Sequence, residues 1–136
     1  MQRVLFDTNV VLDIALKRTP HFDHAVKLFA MIDEGVINGH ITASTVTDIY
    51  YICKRSIGHE AALAFLSDLI EIVEVIGVDR SVIVRALASA AKDFEDAIQI
   101  AAASFNHIDC IITRNEKDFK DTDVPIASPE TFTLGH

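Results

Sequence analysis

The chain has 136 residues, 50% of them hydrophobic and 24% charged. That suits one domain, residues 1–136, with a sizeable core, and it excludes a disordered chain. Acids outnumber bases 20 to 12, for a net charge of -8. This excludes nucleic-acid binding by general positive charge, though not a local basic patch or binding through metal ions. Arg3-Val4-Leu5-Phe6 is a short apolar run stopping at Asp7, the pattern of a buried strand. A helix through Leu12 and Leu16 should follow and end before Pro20. Phe22, Ala25, Val26, Phe29 and Ile32 recur at helical spacing, and Gly35 closes that helix. Ile37 to Ala43 reads as a second strand, and Ser44 and Thr45 start a helix to about Ser56. Ala62, Phe65, Leu66, Leu69, Ile70 and Val73 give an amphipathic helix. Val75 to Val78 reads as a strand, and Val82 to Ala90 as the helix after it. A helix from about Phe94 to Asn106, a strand Cys110–Thr113 and a shorter strand Pro125–Ala127 complete the chain. The strand runs lack polar alternation and alternate with helices, which predicts a mainly parallel sheet covered on both faces.

The apolar runs fall far short of the ~18 residues a membrane span needs. The chain opens MQRVLFDTNVVLDIAL, whose acid at Asp7 makes it a poor signal peptide, so no membrane partner is expected. Cys53 and Cys110 form no CxxC pair and sit in apolar segments, which predicts core thiols in a reducing cytoplasm. The six histidines form no HxxxH or HxxEH pattern, so histidine metal ligation is not expected. Tyr50 and Tyr51 are expected to pack rather than to stack bases.

In open parallel sheets, sites gather beyond the carboxyl ends of the strands. Asp7 stands after the first strand, and Ser44 to Asp48 after the second. Thr113, Arg114, Asn115 and Asp118 follow the strand at Cys110, while Asp93, Glu95 and Asp96 open the helix leading into it. Each also has a capping role open to it. Asp7 and Thr8 suit the first helix start, Ser44 or Thr45 with Asp48 resembles a capping box, and Asp93 suits an N-cap with Asp96 in the first turn. Asn115 suits the cap of a short turn at Glu116–Asp118. Capping alone does not require so many carboxylates, since Ser, Thr or Asn serve as well. Two like charges at ~4 Å repel by about 4 kcal/mol at an effective dielectric near 20. Either their pKa values rise or a cation neutralises them, and Mg²⁺ or Mn²⁺ suits oxygen ligands of this kind. The residues by themselves thus reach an acidic, metal-binding edge on an α/β domain.

Three segments go further. Asp7-Thr8-Asn9-Val10, Asp93-Phe94-Glu95-Asp96-Ala97, and Thr113-Arg114-Asn115 with Asp118-Phe119 resemble, in order and spacing, the motifs of the PIN domain family. The resemblance spans essentially the whole chain, nearest to bacterial single-domain VapC-like toxins. It implies a three-layer α/β/α fold with about five strands, and a Mg²⁺- or Mn²⁺-dependent ribonuclease acting on RNA. It also implies an antitoxin partner and a homodimer. Asp7 and Asp96 would be metal-site acids. The second family acid is usually Glu; Asp48 stands at that position here, one methylene shorter. The fourth is often Asp; here it is Asn115, which brings a carbonyl oxygen without charge, and Asp118 is the alternative. Asn9, Asp93 and Thr113 would support the site, with Thr113 reaching a water or phosphate oxygen. Lys54, Arg55, Arg114, Lys117 and Lys120 are the expected local basic rim.

Other functions fit less well. A signalling receiver domain would need an acidic pair after the first strand and a mid-chain phosphoacceptor Asp. A haloacid-dehalogenase-type phosphatase needs DxDx[TV], and Asp7-Thr8-Asn9 lacks the second Asp. The closer rival is a PIN-fold binding protein weakened in catalysis by Asp48 and Asn115.

Overall fold

The structure, a computed structural model, describes residues 1–119 and 122–136. Five parallel strands form one sheet in the order β3-β2-β1-β4-β5. They are β1 (Gln2–Phe6), β2 (Ile37–Thr42), β3 (Glu74–Ile76), β4 (Cys110–Ile112) and β5 (Ile126–Ala127). The helices are α1 (Thr8–Ala15), α2 (Phe22–Asp33), α3 (Ala43–Ile57), α4 (His59–Ile72), α5 (Arg80–Leu87), α6 (Phe94–Phe105) and α7 (Pro129–Leu134). A 3₁₀ turn covers Glu116–Phe119.

The apolar strand runs are apolar because both sheet faces are covered. Val4 and Phe6 join Cys110 and Ile112 in one core, while Leu5 and Ile111, between them in sequence, enter another. This is the period-2 alternation of a strand feeding two layers. Leu28, Ile49, Cys53 and Leu69 fill the first core; Val82, Ala97, Ala101 and Ala102 fill the second. The fold is therefore the expected three-layer α/β/α arrangement. Gly39 on β2 makes room for it: a Cβ there would meet Phe6 Cε2 and Ile32 Cδ1, both at 2.7 Å.

Element boundaries differ from expectation in instructive places. Helix α3 begins before Ser44, because Thr42, not Ser44 or Thr45, is its N-cap and accepts from the Thr45 amide at 3.2 Å. The strand expected through Val78 ends at Ile76, and α5 ends at Leu87 rather than Ala90. Helix α7 was not anticipated, although Ser128 at the N-cap and Pro129 in the first turn are a readable helix start. Phe105 at the end of α6 is partly exposed beneath the Arg85 guanidinium at 5.2 Å. Both cysteines are buried and free. Among the described residues no helix is long and apolar enough to cross a membrane.

The strand order fixes where a site can form. From β1 the chain steps outward to β2 and β3, then returns to the other side of β1 with β4 and β5. The direction of winding thus reverses between β1 and β4. Beyond the carboxyl ends of that pair the flanking connections diverge to opposite faces and leave a crevice. Asp7 and Thr113 are the residues that follow those two strands.

Candidate active site

Asp7 is the best-anchored acid at this crevice. Its amide donates to the Ile112 carbonyl at 2.9 Å, which extends the β1–β4 ladder by one bond. Its side chain is only 4% exposed. Thr113 Oγ1 donates to Asp7 Oδ2 at 2.8 Å, and Gln99 Nε2 donates to Asp7 Oδ1 at 3.1 Å. Asp7 occupies the N-cap position of α1 without capping it by side chain. Burial raises its pKa; the bonds from Thr113 and Gln99 oppose that rise, and the Glu95 carboxyl adds to it.

A cavity of about 420 Å³ opens beside Asp7. Asn9, Asp93, Asp96, Asn115 and Asp118 line it, together with Lys92 and Glu95. Six of the eight predicted site residues therefore border one space. Asp96 carries the largest electrostatic signature among them. Burial, and then the charges of Asp7, Asp93, Asp118 and Glu95, push its carboxyl up to about 7. Asp93 is at the same time a helix cap, its Oδ1 accepting from the Asp96 amide at 3.1 Å.

The other two predicted residues stand differently. Thr113 is fully buried; its hydroxyl donates to Asp7 and accepts from the Asn115 amide at 3.0 Å. It holds Asp7, and with its one proton committed there it has none to donate to a phosphate oxygen. Asp48 lines an adjacent cavity of about 290 Å³ that shares Asn9 and Glu95 with the first. Burial raises the Glu95 pKa; a bond from Thr8 opposes it, and the neighbouring Asp48 carboxyl raises it further.

Glu95 and Gln99 were not among the predicted site residues. They lie four apart on α6, hence on one face, and Gln99 Nε2 bridges Asp7 to Glu95 Oε1, the latter at 3.4 Å. A polar Gln within the apolar run Ala97–Ala103 was the available signal. A chain of hydroxyls supports Glu95 from behind. Thr8 Oγ1 donates to Glu95 Oε1 at 2.9 Å, and Thr42 Oγ1 donates to Thr45 Oγ1 at 3.1 Å. Each hydroxyl has one proton. The bond between Thr45 and Thr8, at 2.9 Å, must therefore run from Thr45, and that between Ser44 and Thr42, at 2.8 Å, from Ser44.

The expected basic rim is thinner than the sequence indicates. Arg114 Nε and Nη2 donate to the buried Asp13 carboxylate at 2.8 and 3.2 Å, so this guanidinium is a structural clamp. Arg55 borders the Asp48 cavity, and Lys54 lies over the Tyr50 ring at 5.9 Å. Lys120 lies outside the described residues. Tyr51, expected to pack, is 62% exposed.

These donors suit a hard divalent cation. They are oxygen groups, and their raised pKa values reflect the same burial and repulsion that a cation relieves. Among the described residues no group of three or more His, Cys, Asp or Glu side chains is placed to hold a metal ion. Asp7 is fixed, Asp96 is half-buried, and Asp93 and Asp118 are exposed.

Comparison with known proteins agrees with this architecture. A family model for the PIN domain matches residues 3–117. The chain belongs to the PIN domain family. Among solved structures, this PIN chain is similar to one in VapBC2 from Rickettsia felis bound to a DNA fragment from their promoter. That match has a TM-score of 0.71 and 13% identity, over 93% of this chain and 98% of the other. A toxin–antitoxin complex from Klebsiella pneumoniae matches with a TM-score of 0.70 and 23% identity, over 93% and 97%. The sarcin–ricin-loop-cleaving toxin VapC20 of Mycobacterium tuberculosis matches with a TM-score of 0.66 and 18% identity, over 79% and 86%. At these identities the likeness is one of fold. A search of the curated proteins returned no match.

Proposed function

We propose that this PIN domain is a metal-dependent endoribonuclease that hydrolyses RNA phosphodiesters, and that it acts as the toxin of a toxin–antitoxin pair. The observation that carries the reading is the buried Asp7 at the β1–β4 reversal, bordering one cavity with an Asp96 carboxyl raised to about 7. The family membership and the toxin–antitoxin neighbours support it.

Asp7 and Asp96 would hold Mg²⁺ or Mn²⁺, with Asn115 or Asp118 completing the set. The ion, when bound, acidifies water and stabilises charge on the leaving oxygen. Thr113 and Gln99 keep both Asp7 oxygens oriented, which spares the site reorganisation during the reaction. Asp48, with Glu95 beside it, would orient the ion or the attacking water. The water loses a proton as its oxygen bonds to phosphorus, the bond from phosphorus to the 3′ oxygen breaks, and that oxygen takes up a proton, so that none is gained or lost overall. The products carry 5′-phosphate and 3′-hydroxyl ends. Attack by the ribose 2′-hydroxyl would instead leave a 2′,3′-cyclic phosphate.

The test is end analysis of single-stranded RNA treated with the wild type and with Asp96→Asn. Cyclic-phosphate ends, or equal activity in the variant and in EDTA, would overturn the mechanism. A homodimer is part of the same reading, supported by exposed Val26, Leu63 and Ile70 on α2 and α4. Sedimentation as a 15.0 kDa monomer at tens of micromolar would refute that part.

A further inference from the structure

We infer that the outer face of α3 is a nucleotide subsite, where Tyr51 stacks a base of single-stranded RNA and Arg55 holds a phosphate next to it. The inference rests on the ribonuclease reading above and specifies how the substrate lies in that site. Asp48, Tyr51, Ile52 and Arg55 follow one another at spacings of three, one and three, which places them on one helical face. All four line the 290 Å³ cavity. That cavity shares Asn9 and Glu95 with the acidic cavity around Asp7 and Asp96, so a strand leaving the acids along α3 enters it next.

The chemistry changes along this path in the way a single strand requires. Charge runs from the carboxylate of Asp48 to the guanidinium of Arg55, which forms no ion pair among the described residues. Between them Tyr51 is exposed, while Leu12 and Ile52 give the cavity an apolar lining. Tyr51 also has an aromatic neighbour on one side. It meets the Tyr50 ring at 5.2 Å and 72°, and the Tyr50 hydroxyl is hydrogen-bonded to His59 Nδ1 at 2.7 Å. A ring restricted on one side loses less freedom when a base stacks on it. Aromatic platforms with adjacent cations are the general means of holding single strands, and stacking tolerates any base. A duplex keeps its bases paired and presents none to the ring, so the subsite selects unpaired RNA.

The test uses full-length protein with Asp7→Asn in the background to suppress cleavage, and a short pyrimidine oligoribonucleotide. The chain has two tyrosines and no tryptophan, so intrinsic fluorescence reports directly on the α3 face. RNA should quench it. Tyr51→Ala should weaken binding roughly 5- to 150-fold, with Tyr51→Phe restoring most of the affinity. Arg55→Ala should flatten the log–log salt dependence by about 0.7, one phosphate contact, whereas Lys27→Ala on α2 should leave affinity unchanged. Unchanged affinity in both Tyr51→Ala and Arg55→Ala would overturn the subsite and leave this face to a protein partner. Failure of the ribonuclease reading is separable: wild-type protein would then bind RNA without Asp7-dependent cleavage in Mg²⁺ or Mn²⁺.

Discussion

The two walls of the acidic cavity are built on different principles. The β1–β4 wall carries Asp7, which Thr113 after β4 and Gln99 on α6 hold by hydrogen bonds, all three buried. The exposed wall carries Asp93 at the N-cap of α6, Asn115 just before the 3₁₀ turn and Asp118 within it. Asp96, half-buried, lies between these two settings. A carboxylate fixed by the sheet gives the site a reference point that thermal motion scarcely shifts. Asp118 on the exposed wall makes no side-chain hydrogen bond among the described residues and can adjust to an ion and a substrate, whereas Asp93 also caps α6. The comparison predicts that changes on the buried wall are felt in both fold and chemistry, and those at Asn115 and Asp118 in chemistry alone.

The largest effect should come from Asp7→Asn. This change keeps shape and removes the fixed charge, so RNA cleavage in Mg²⁺ or Mn²⁺ should fall more than ~100-fold, beyond the ~10–100-fold that supporting residues cost. Cleavage rates at saturating metal measure it, and a loss under ~10-fold would break the division between the walls. Next come Thr113→Val and Gln99→Leu, which leave Asp7 in place but remove a donor. Activity should fall ~10–100-fold. Stability should change by about 1–3 kcal/mol, because each partner atom left behind is buried. Chemical denaturation alongside the rate assay separates the two effects.

How much of this was legible in the sequence follows the same division. The apolar strand runs, with Asp7 directly after the first, foretold the sheet covered on both faces and the strand ends where the crevice lies, because a run such as Val4–Phe6 has one stable environment. The N-cap role of Asp93 was legible too, being a local bond. The links across the buried wall were not. The bond from Gln99 to Asp7 joins residues 92 apart, and Arg114 is joined to Asp13 over 101 positions. No periodicity encodes such contacts. Arg114 reads as a surface cation until the fold brings a buried carboxylate to it, and Tyr51 reads as core until its side of α3 is found without a covering layer.

The pH dependence of stability sharpens the comparison. In the metal-free chain Asp96 titrates at about 7, against an ordinary value near 4 in the unfolded chain. Between those values the folded state binds more protons, so stability falls as pH rises from about 4 to about 7. Asp7 and Glu95, also raised, act in the same direction. Mg²⁺ or Mn²⁺ should take the proton's place and flatten the profile, adding about 2.7 kcal/mol at 100 times Kd. Melting curves across that pH range, with and without metal, report both quantities. A profile that ignores both pH and metal would show that the acids do not act together.

The smallest effect should come from the exposed wall, and it decides which residue completes the ion's shell. Asp118→Asn removes an exposed charge whose repulsion helps to raise Asp96. In the metal-free chain stability should change by less than ~0.5 kcal/mol, as at most surface positions. Asn115→Asp adds a charge on the same wall. If Asn115 is the ligand, this variant should bind Mn²⁺ more tightly, because a carboxylate replaces a carbonyl oxygen, while Asp118→Asn has little effect on metal affinity. If Asp118 is the ligand, the loss should appear in Asp118→Asn instead. Titration of the two proteins followed by calorimetry distinguishes these outcomes. Equal and weak responses in both would assign the ion wholly to the sheet side of the cavity, with Asp7 and Asp96 as its protein ligands.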